Sequence, residues 1–357
     1  MKRIKSLDGI RAISILMVTA GHALLTLPSS FSANKVVQLF SNAALGVQIF
    51  FVISGYLITK LLMIEREKTG KVDLKEFYVR RVLRIFPVFF LYILVLLILK
   101  WSVFPDIFTN YLLVLFAALY LWNYKHYFIQ ESIVDNGNFY LSHFWSLSME
   151  EQFYLLWPIT FIKANTSLLI RITIGLIILI PFIRVATYFL MPASRPQVSV
   201  MLHTGGDTIL MGCLGALIEQ HTSFKNKCNW ILQKNWLIFL VFLFLFIGSP
   251  LLTMRLKGAY LFTFGQTLNN VSIMFLLYWC MYVPSRVADV LNSKLFVQIG
   301  ILSYSLYIWQ PLILTEKANL WINRFPQNII AVFAIAFISY YLVEKPILGL
   351  KKRFKEV

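Results

Sequence analysis

Arg11 and His22 lie eleven positions apart in the stretch LDGIRAISILMVTAGH, residues 7–22. At about 100° per residue, that interval returns to within roughly 20° of its starting direction. On a helix the two side chains therefore share a face, about 16 Å apart along the axis. Asp8 lies one turn before Arg11 and is placed to pair with it. A histidine, with an ordinary pKa of about 6.5, can take up a proton near neutral pH, and a guanidinium can hold an anion. The spacing suits a long ligand with an anionic foot and a reactive tip. Each residue also has a plain structural explanation: Arg11 as a charge snorkelling to headgroups, His22 as an inter-helix hydrogen bonder. Ionisable groups inside an apolar segment are costly, which favours a functional role for His22.

Three further stretches carry candidate chemistry. In FYVRRVLRIFPVFF, residues 77–90, Arg80, Arg81 and Arg84 form a dense set of forked donors suited to phosphate oxygens. Topogenic charge is the competing explanation. In HFWSLSMEEQFYLLWP, residues 143–158, helical spacing puts His143, Leu147, Glu150 and Tyr154 on one face. Glu150 could orient a base or a hydroxyl, or simply balance a buried arginine. His143 and Tyr154 could bind substrate or anchor at the headgroup boundary. His143, Trp145, Ser146, Tyr154 and Asp207 are the candidates for holding a substrate. Asp207 has no sequence-local partner; Arg184 and Arg195 are the cations that could meet it. FFVISGYLITK, residues 50–60, reads as packing, because Ser54 and Gly55 let another helix approach closely, as do Gly212 and Gly215. Ser54 or Ser146 could supply an oxyanion dipole.

The elements that must position these groups are membrane helices. The chain has 357 residues, 59% of them hydrophobic and 14% charged. Soluble domains carry about 25% charged residues, and runs of roughly 20 apolar residues recur here along the whole length. The expected fold class is an all-α polytopic bundle in one membrane-embedded domain, residues 1–357, without the short alternating segments of an outer-membrane barrel. Candidate helices are 10–27, 43–64, 85–104, 107–123, 141–162, 168–190, 206–221, 236–253, 261–284, 296–315 and 328–345. The formal charge of +17 reads as orientation and attraction to anionic headgroups rather than nucleic-acid binding. Cys213, Cys228 and Cys280 lack metal-ligand spacing and suggest neither a zinc site nor a disulfide framework. The basic, apolar start resembles a signal peptide, but Arg11 and His22 interrupt it. No Walker loop, Rossmann fingerprint or nucleophile elbow is present.

Basic residues set an expected orientation. Lys2, Arg3 and Lys5 place the N-terminus in the cytoplasm. The loop from Glu65 to Arg84 and the tail KKRFKEV belong there too, as do loops 222–235 and 285–295 with Lys225, Lys227, Lys234, Arg286 and Lys294. Parity then requires ten spans, so one candidate helix is not a full crossing. The segment 107–140 is expected to be re-entrant or to lie on the outer side, because Pro105 and Asp106 interrupt it and a polar stretch follows.

Taken together, the stretches resemble the acyltransferase 3 family of integral membrane acyltransferases. The match comprises LDGIRAISILMVTAGH, FFVISGYLIT at 50–59, FYVRRVLRIFP at 77–87, HFWSLSMEEQFYLLWP, LSYSLYIWQP at 302–311 and VEKP at 343–346, in order across nearly the whole chain. The resemblance implies about ten transmembrane helices in a bacterial inner membrane. It also implies transfer of an acyl group, often acetyl from acetyl-CoA, to a carbohydrate hydroxyl. His22 matches the family's catalytic histidine and Arg11 its partner. Glu150 matches the glutamate after the Trp-Ser-Leu element, and Arg80, Arg81 and Arg84 match the cytoplasmic arginine element. Gln310 stands where the family often has histidine, so an acid–base role there is in doubt. Some members carry a periplasmic hydrolase-like domain, which is not expected here.

The expected mechanism has Arg80, Arg81, Arg84 and Arg11 holding the phosphates of an acyl-CoA. His22 acts as general base on the acceptor hydroxyl, assisted by Glu150 and the Asp8–Arg11 pair. Direct transfer and an acyl-enzyme are both open. No metal and no nucleic-acid partner is expected; membrane lipids and a carbohydrate are, and homo-oligomerisation is open. A transporter or flippase of an acylated or glycosylated substrate would use similar buried charges, but would show inverted repeats and broken helices in matched halves, and the sequence has neither. A membrane scaffold would leave the clustered charges unexplained.

Overall fold

The computed structural model describes residues 4–129, 135–220, 230–318 and 320–350. The expectations attached to Lys2, Arg3, Lys225, Lys227, Cys228 and the tail at 351–357 lie outside them. Among the described residues the chain forms helices and no strands. The longer helices are α1 (Lys5–Ala23), α2 (Ala43–Thr69), α3 (Leu74–Ser102), α4 (Tyr111–Ala118), α5 (Phe144–Lys163) and α6 (Thr166–Leu190). They continue with α7 (Asp207–Ile218), α8 (Asn235–Leu256), α9 (Gln266–Tyr282), α10 (Lys294–Ile313) and α11 (Gln327–Leu350).

Six helical stretches among the described residues are long and apolar enough to cross a bilayer: Lys35–Thr69, Leu74–Ser102, Thr166–Leu190, Asn235–Leu256, Lys294–Ile313 and Gln327–Leu350. The ten crossings expected from the sequence are not all marked by length and apolarity. α1 and α5 have 19 and 20 residues, but they carry the charged side chains singled out above. The all-α membrane class follows from these spans; the protein is an integral membrane protein.

The segment after α3 is broken. Short 3₁₀ turns at Pro105–Ile107 and Trp122–Tyr127 flank α4, whose eight residues rise only about 12 Å against a hydrocarbon core of roughly 30 Å. Asp135 anchors the segment. One carboxylate oxygen accepts from the Thr109 amide and hydroxyl and from the Asn110 amide, at 3.0, 2.7 and 2.8 Å. The other accepts from Gly137 at 2.7 Å. Burial pushes this carboxyl up, but the four hydrogen bonds outweigh it and hold its pKa below the usual aspartate value.

The chain divides into two compact units. The first comprises Met1–Leu16, Ala44–Val72 and Phe153–Ile301. Here α2 and α7 meet backbone to backbone. A Cβ at Gly55 would overlap the carbonyl oxygen of Ile209, and one at Gly212 that of Val52. Asp207 lies fully buried in this unit and pairs with Arg184 at 2.6 Å. Gln266 and Thr267 donate to the same carboxylate at 3.4 Å each. Glu219 accepts from Tyr56 at 2.7 Å, pairs with Lys60 at 3.1 Å and accepts from Tyr282.

The second unit comprises Met17–Ala43, Asp73–Gln152 and Leu302–Val357. Its core is aromatic. Tyr120 stacks on Phe89 at 4.5 Å, Phe89 meets Phe144 at 4.6 Å, and Tyr92 meets Trp309 edge to face at 5.6 Å. Tyr120 holds a left-handed φ of 55°, and its carbonyl accepts from Gln152 at 2.8 Å. A wide π-turn at Tyr340–Glu344 interrupts α11 and leaves Glu344 buried.

Candidate active site

α1 runs unbroken from Lys5 to Ala23, so the sequence interval between Arg11 and His22 is realised as a helical one. Arg11 pairs with Asp8 at 3.7 Å, an i,i+3 contact at the start of the helix in the first unit. His22 lies in the last turn, half-buried, in the second unit. There its charge acts on a second imidazole, that of His143.

His143 occupies the turn before α5 and is 3% exposed. Its ring packs edge to face against Tyr92 at 5.2 Å and Tyr307 at 5.6 Å. The turn is locked through its backbone: the His143 carbonyl accepts from the Tyr307 hydroxyl at 2.8 Å and from Ser146 at 3.1 Å. Ser146 and Tyr307 also bond to each other. Both ring nitrogens of His143, by contrast, are buried without a hydrogen-bond partner among the described residues. Buried polar atoms are normally satisfied, so such orphans call for an occupant. The turn fixes the backbone while leaving the imidazole available.

The arginines lie on α3, whose start is capped by Asp73 accepting from the Glu76 amide at 3.0 Å. Arg80 pairs with Glu76 at 3.3 Å, one turn back. Arg81 sits over the Phe77 ring at 5.8 Å. The charges of Arg81 and Arg84 both act on Glu151, and that of Arg84 also acts on Glu344. Glu344 in turn accepts from Ser305 on α10. Tyr304 donates to the Ile85 carbonyl at 2.7 Å, tying α10 to α3 beside Arg84. Glu150 acts electrostatically on Glu151, Tyr304 and Tyr307. Within the second unit, polar groups thus succeed one another from the arginines through Glu151 and Glu150 to Tyr307, His143 and His22.

The structure does not bring all candidates together. Tyr154 belongs to the first unit, where its hydroxyl donates to Ser54 at 2.9 Å. Asp207 finds its partner in Arg184, the first of the two cations that could meet it, with both side chains fully buried. Trp145 is half-buried in the first turn of α5. Ser54 and Ser146, the candidate dipoles, are engaged in the hydrogen bonds just given. Other residues gain a place the sequence reading did not assign them. One oxygen of Glu151 is buried without a partner among the described residues. Tyr307 and Glu344 lie in two of the quoted stretches, but only contact between helices reveals what they touch. Beyond the end of α1, a cavity of about 430 Å³ is lined by Thr26, Pro28, Thr315, Glu316, Arg324 and Phe325, among others. Among the described residues no group of three or more His, Cys, Asp or Glu is arranged to hold a metal ion.

These features define an all-α membrane protein, and the sequence comparisons give its family. The chain belongs to the acyltransferase 3 family, whose profile, described as an acyltransferase domain, matches residues 4–344. It is similar to the peptidoglycan O-acetyltransferase OatA of Listeria monocytogenes, 29% identical over 374 residues that cover 97% of this chain and 56% of the relative. It is similar also to the O-acetyltransferase OatA of Staphylococcus aureus, 30% identical over 377 residues covering 98% and 57%. The chain thus spans little more than half the length of these relatives. No solved structure matches it.

Proposed function

We propose that this protein is a membrane O-acetyltransferase that moves an acetyl group from acetyl-CoA to a hydroxyl of an envelope carbohydrate, with residues 1–357 acting as one acyltransferase domain. The observation that carries the reading is the succession of polar groups from Arg81 and Arg84 to the His143–His22 pair within one unit. The name of the Listeria relative, a peptidoglycan O-acetyltransferase, supports the acceptor class, and both relatives' names support O-acetyl transfer. Both chain ends and the arginines face the cytoplasm in this reading, so the donor enters from that side.

Arg81, Arg84 and Arg80 hold the phosphates of the donor. Glu151 and Glu344 lie within electrostatic reach of these arginines. The acceptor enters through the cavity beyond α1, where Glu316, Arg324 and Phe325 offer polar and ring-stacking contacts to a sugar. His22 takes the proton from the acceptor hydroxyl as its oxygen attacks the thioester carbonyl carbon. The tetrahedral intermediate collapses with cleavage of the C–S bond. The departing thiolate takes the proton from the imidazolium, leaving an O-acetyl ester and free coenzyme A. Arg11 and Asp8 hold the far end of the same helix.

The test uses purified full-length protein, radiolabelled acetyl-CoA and peptidoglycan fragments. General-base catalysis contributes about 10²–10⁴-fold, so His22→Ala lowers transfer by at least about a hundredfold while the protein stays folded. Undiminished transfer overturns the assignment of His22. Wild-type protein that transfers to no envelope glycan overturns the function.

A further inference from the structure

α1 ends at Ala23, one residue past His22, so the proposed base sits where a helix is least secured. The turn that follows is closed by local bonds. The Ala23 carbonyl accepts from the Thr26 amide at 2.9 Å, the Leu27 amide at 3.1 Å and the Thr26 hydroxyl at 3.0 Å. The His22 carbonyl accepts from the Leu25 amide at 3.3 Å. These bonds shape the turn but do not place it against the rest of the unit.

Asn328 supplies that placement. It lies on α11, 302 positions from Thr26, with 0% of its surface exposed. Its Nδ2 donates to Thr26 Oγ1 at 2.7 Å and to the Asn323 carbonyl at 3.1 Å. The Thr26 hydroxyl directs its hydrogen to Ala23, so only the nitrogen of the amide can face it. The Oδ1 of Asn328 is buried without a partner among the described residues, a cost that a leucine would not carry. Asn323 extends the clamp. Its Nδ2 donates to the Leu312 and Ile313 carbonyls, at 3.0 Å each, at the end of α10. α10 also carries Tyr307, whose hydroxyl holds the His143 turn. Leu25, Thr26 and Asn323 all line the cavity of about 430 Å³ beyond α1. The two asparagines thus fasten the last turn of α1 to the end of α10 and the start of α11 at the cavity wall.

We propose that Asn328 is a positioning residue: through Thr26 it fixes the last turn of α1 and so holds the His22 imidazole against the acceptor cavity. The inference rests on the proposed transferase reading, in which His22 is the general base. A general base must stand within hydrogen-bond reach of the hydroxyl it deprotonates, and a displacement of about 1 Å can cost about a hundredfold in rate. Asn328 touches no reactant in this reading and acts only through the turn.

The experiment compares Asn328→Leu, Thr26→Val, the double variant and Thr26→Ser in full-length protein in nanodiscs. Leucine and valine keep the approximate volume and abolish the bond. In each of those single variants kcat per folded molecule falls about ten- to a hundredfold, while KM for acetyl-CoA holds at the wild-type value. Thr26→Ser, which keeps the hydroxyl, recovers most of the loss. The double variant falls no further than the slower single one, because both remove the same bond. In spectra of protein labelled with ¹⁵N-histidine, the His22 signals, assigned with His22→Gln, shift or broaden in both single variants, and those of His203 in the first unit do not. A merely structural Asn328 would lower the unfolding temperature with kcat per folded molecule and the His22 signals unchanged, and that result overturns the inference. So does a Thr26→Ser variant as slow as Thr26→Val, or a double variant with additive losses. If Asn328→Leu does not fold, the two Thr26 variants decide alone. Each of these failures leaves the transferase reading standing while wild-type protein transfers acetyl. Wild-type protein that transfers none overturns both.

Discussion

Ser305 donates its hydroxyl hydrogen to Glu344, joining the LSYSLYIWQP stretch to the closing VEKP inside the second unit. Both groups are buried, and Arg84 from a third stretch acts on the same carboxylate. Segments far apart in the chain thus meet around one charge. Ser305→Ala leaves the carboxylate short of a buried donor and costs about 1–3 kcal/mol. Ser305→Thr, which keeps the hydroxyl, costs less. Unfolding curves of the purified variants check this; an unchanged Ser305→Ala midpoint would remove the bond from the account.

Arg81 and Arg84 act on Glu151 from adjacent turns of α3, in the proposed seat of the donor phosphates. A charge-assisted hydrogen bond contributes about 1.5–3 kcal/mol, so Arg81→Gln or Arg84→Gln raises KM for acetyl-CoA roughly tenfold or more. The acceptor KM stays near the wild-type value. Initial-rate kinetics with each substrate varied in turn separate the two; a change confined to the acceptor would move the donor seat elsewhere.

Gly55 and Gly212 let α2 and α7 touch through their backbones. A larger side chain at either must push the helices apart. Gly55→Leu or Gly212→Val destabilises the protein by at least ~2 kcal/mol. Loss of monodisperse protein on size-exclusion chromatography is the readout. A well-behaved Gly55→Leu variant of wild-type stability would show that the helices can separate freely.

Asp135 provides a pH test outside the spans. Its carboxyl is held below the ordinary aspartate range by hydrogen bonds from Thr109, Asn110 and Gly137, against the opposing effect of burial. A depressed folded-state pKa contributes stability above the unfolded-state value of about 3.9, and this is lost as pH falls through the folded value. Asp135→Asn is therefore less stable than wild type at pH 7, and the gap closes as pH falls below about 4. Thermal unfolding of both proteins across pH 3–7 measures it; a gap that widens in acid would reverse the sign.

Helix positions were readable in advance wherever hydropathy and breakers agree. The candidate 168–190 is observed as Thr166–Leu190, and 296–315 as Lys294–Ile313. The candidate 85–104 begins earlier, at Leu74, because Asp73 caps the helix and draws the arginines into it. The segment 107–123 is broken, since Pro105 and the left-handed Tyr120 end regular structure on either side of the short α4. The Asp8–Arg11 contact follows from i,i+3 spacing and needs no knowledge of the fold.

The sequence by itself determined that this is an all-α membrane protein of the acyltransferase 3 family, and that Arg11 and His22 stand on one helix. Those properties depend on local composition, period and motif order. Only the tertiary structure decided that the arginine charges act on Glu151, that Asp207 is taken by Arg184, and that His143 and Gln310 keep polar atoms in the interior without a partner among the described residues. Such pairings depend on how each helix is rotated against its neighbours. That rotation is set by long-range packing, such as the Gly55 and Gly212 contact, which no single stretch of sequence encodes.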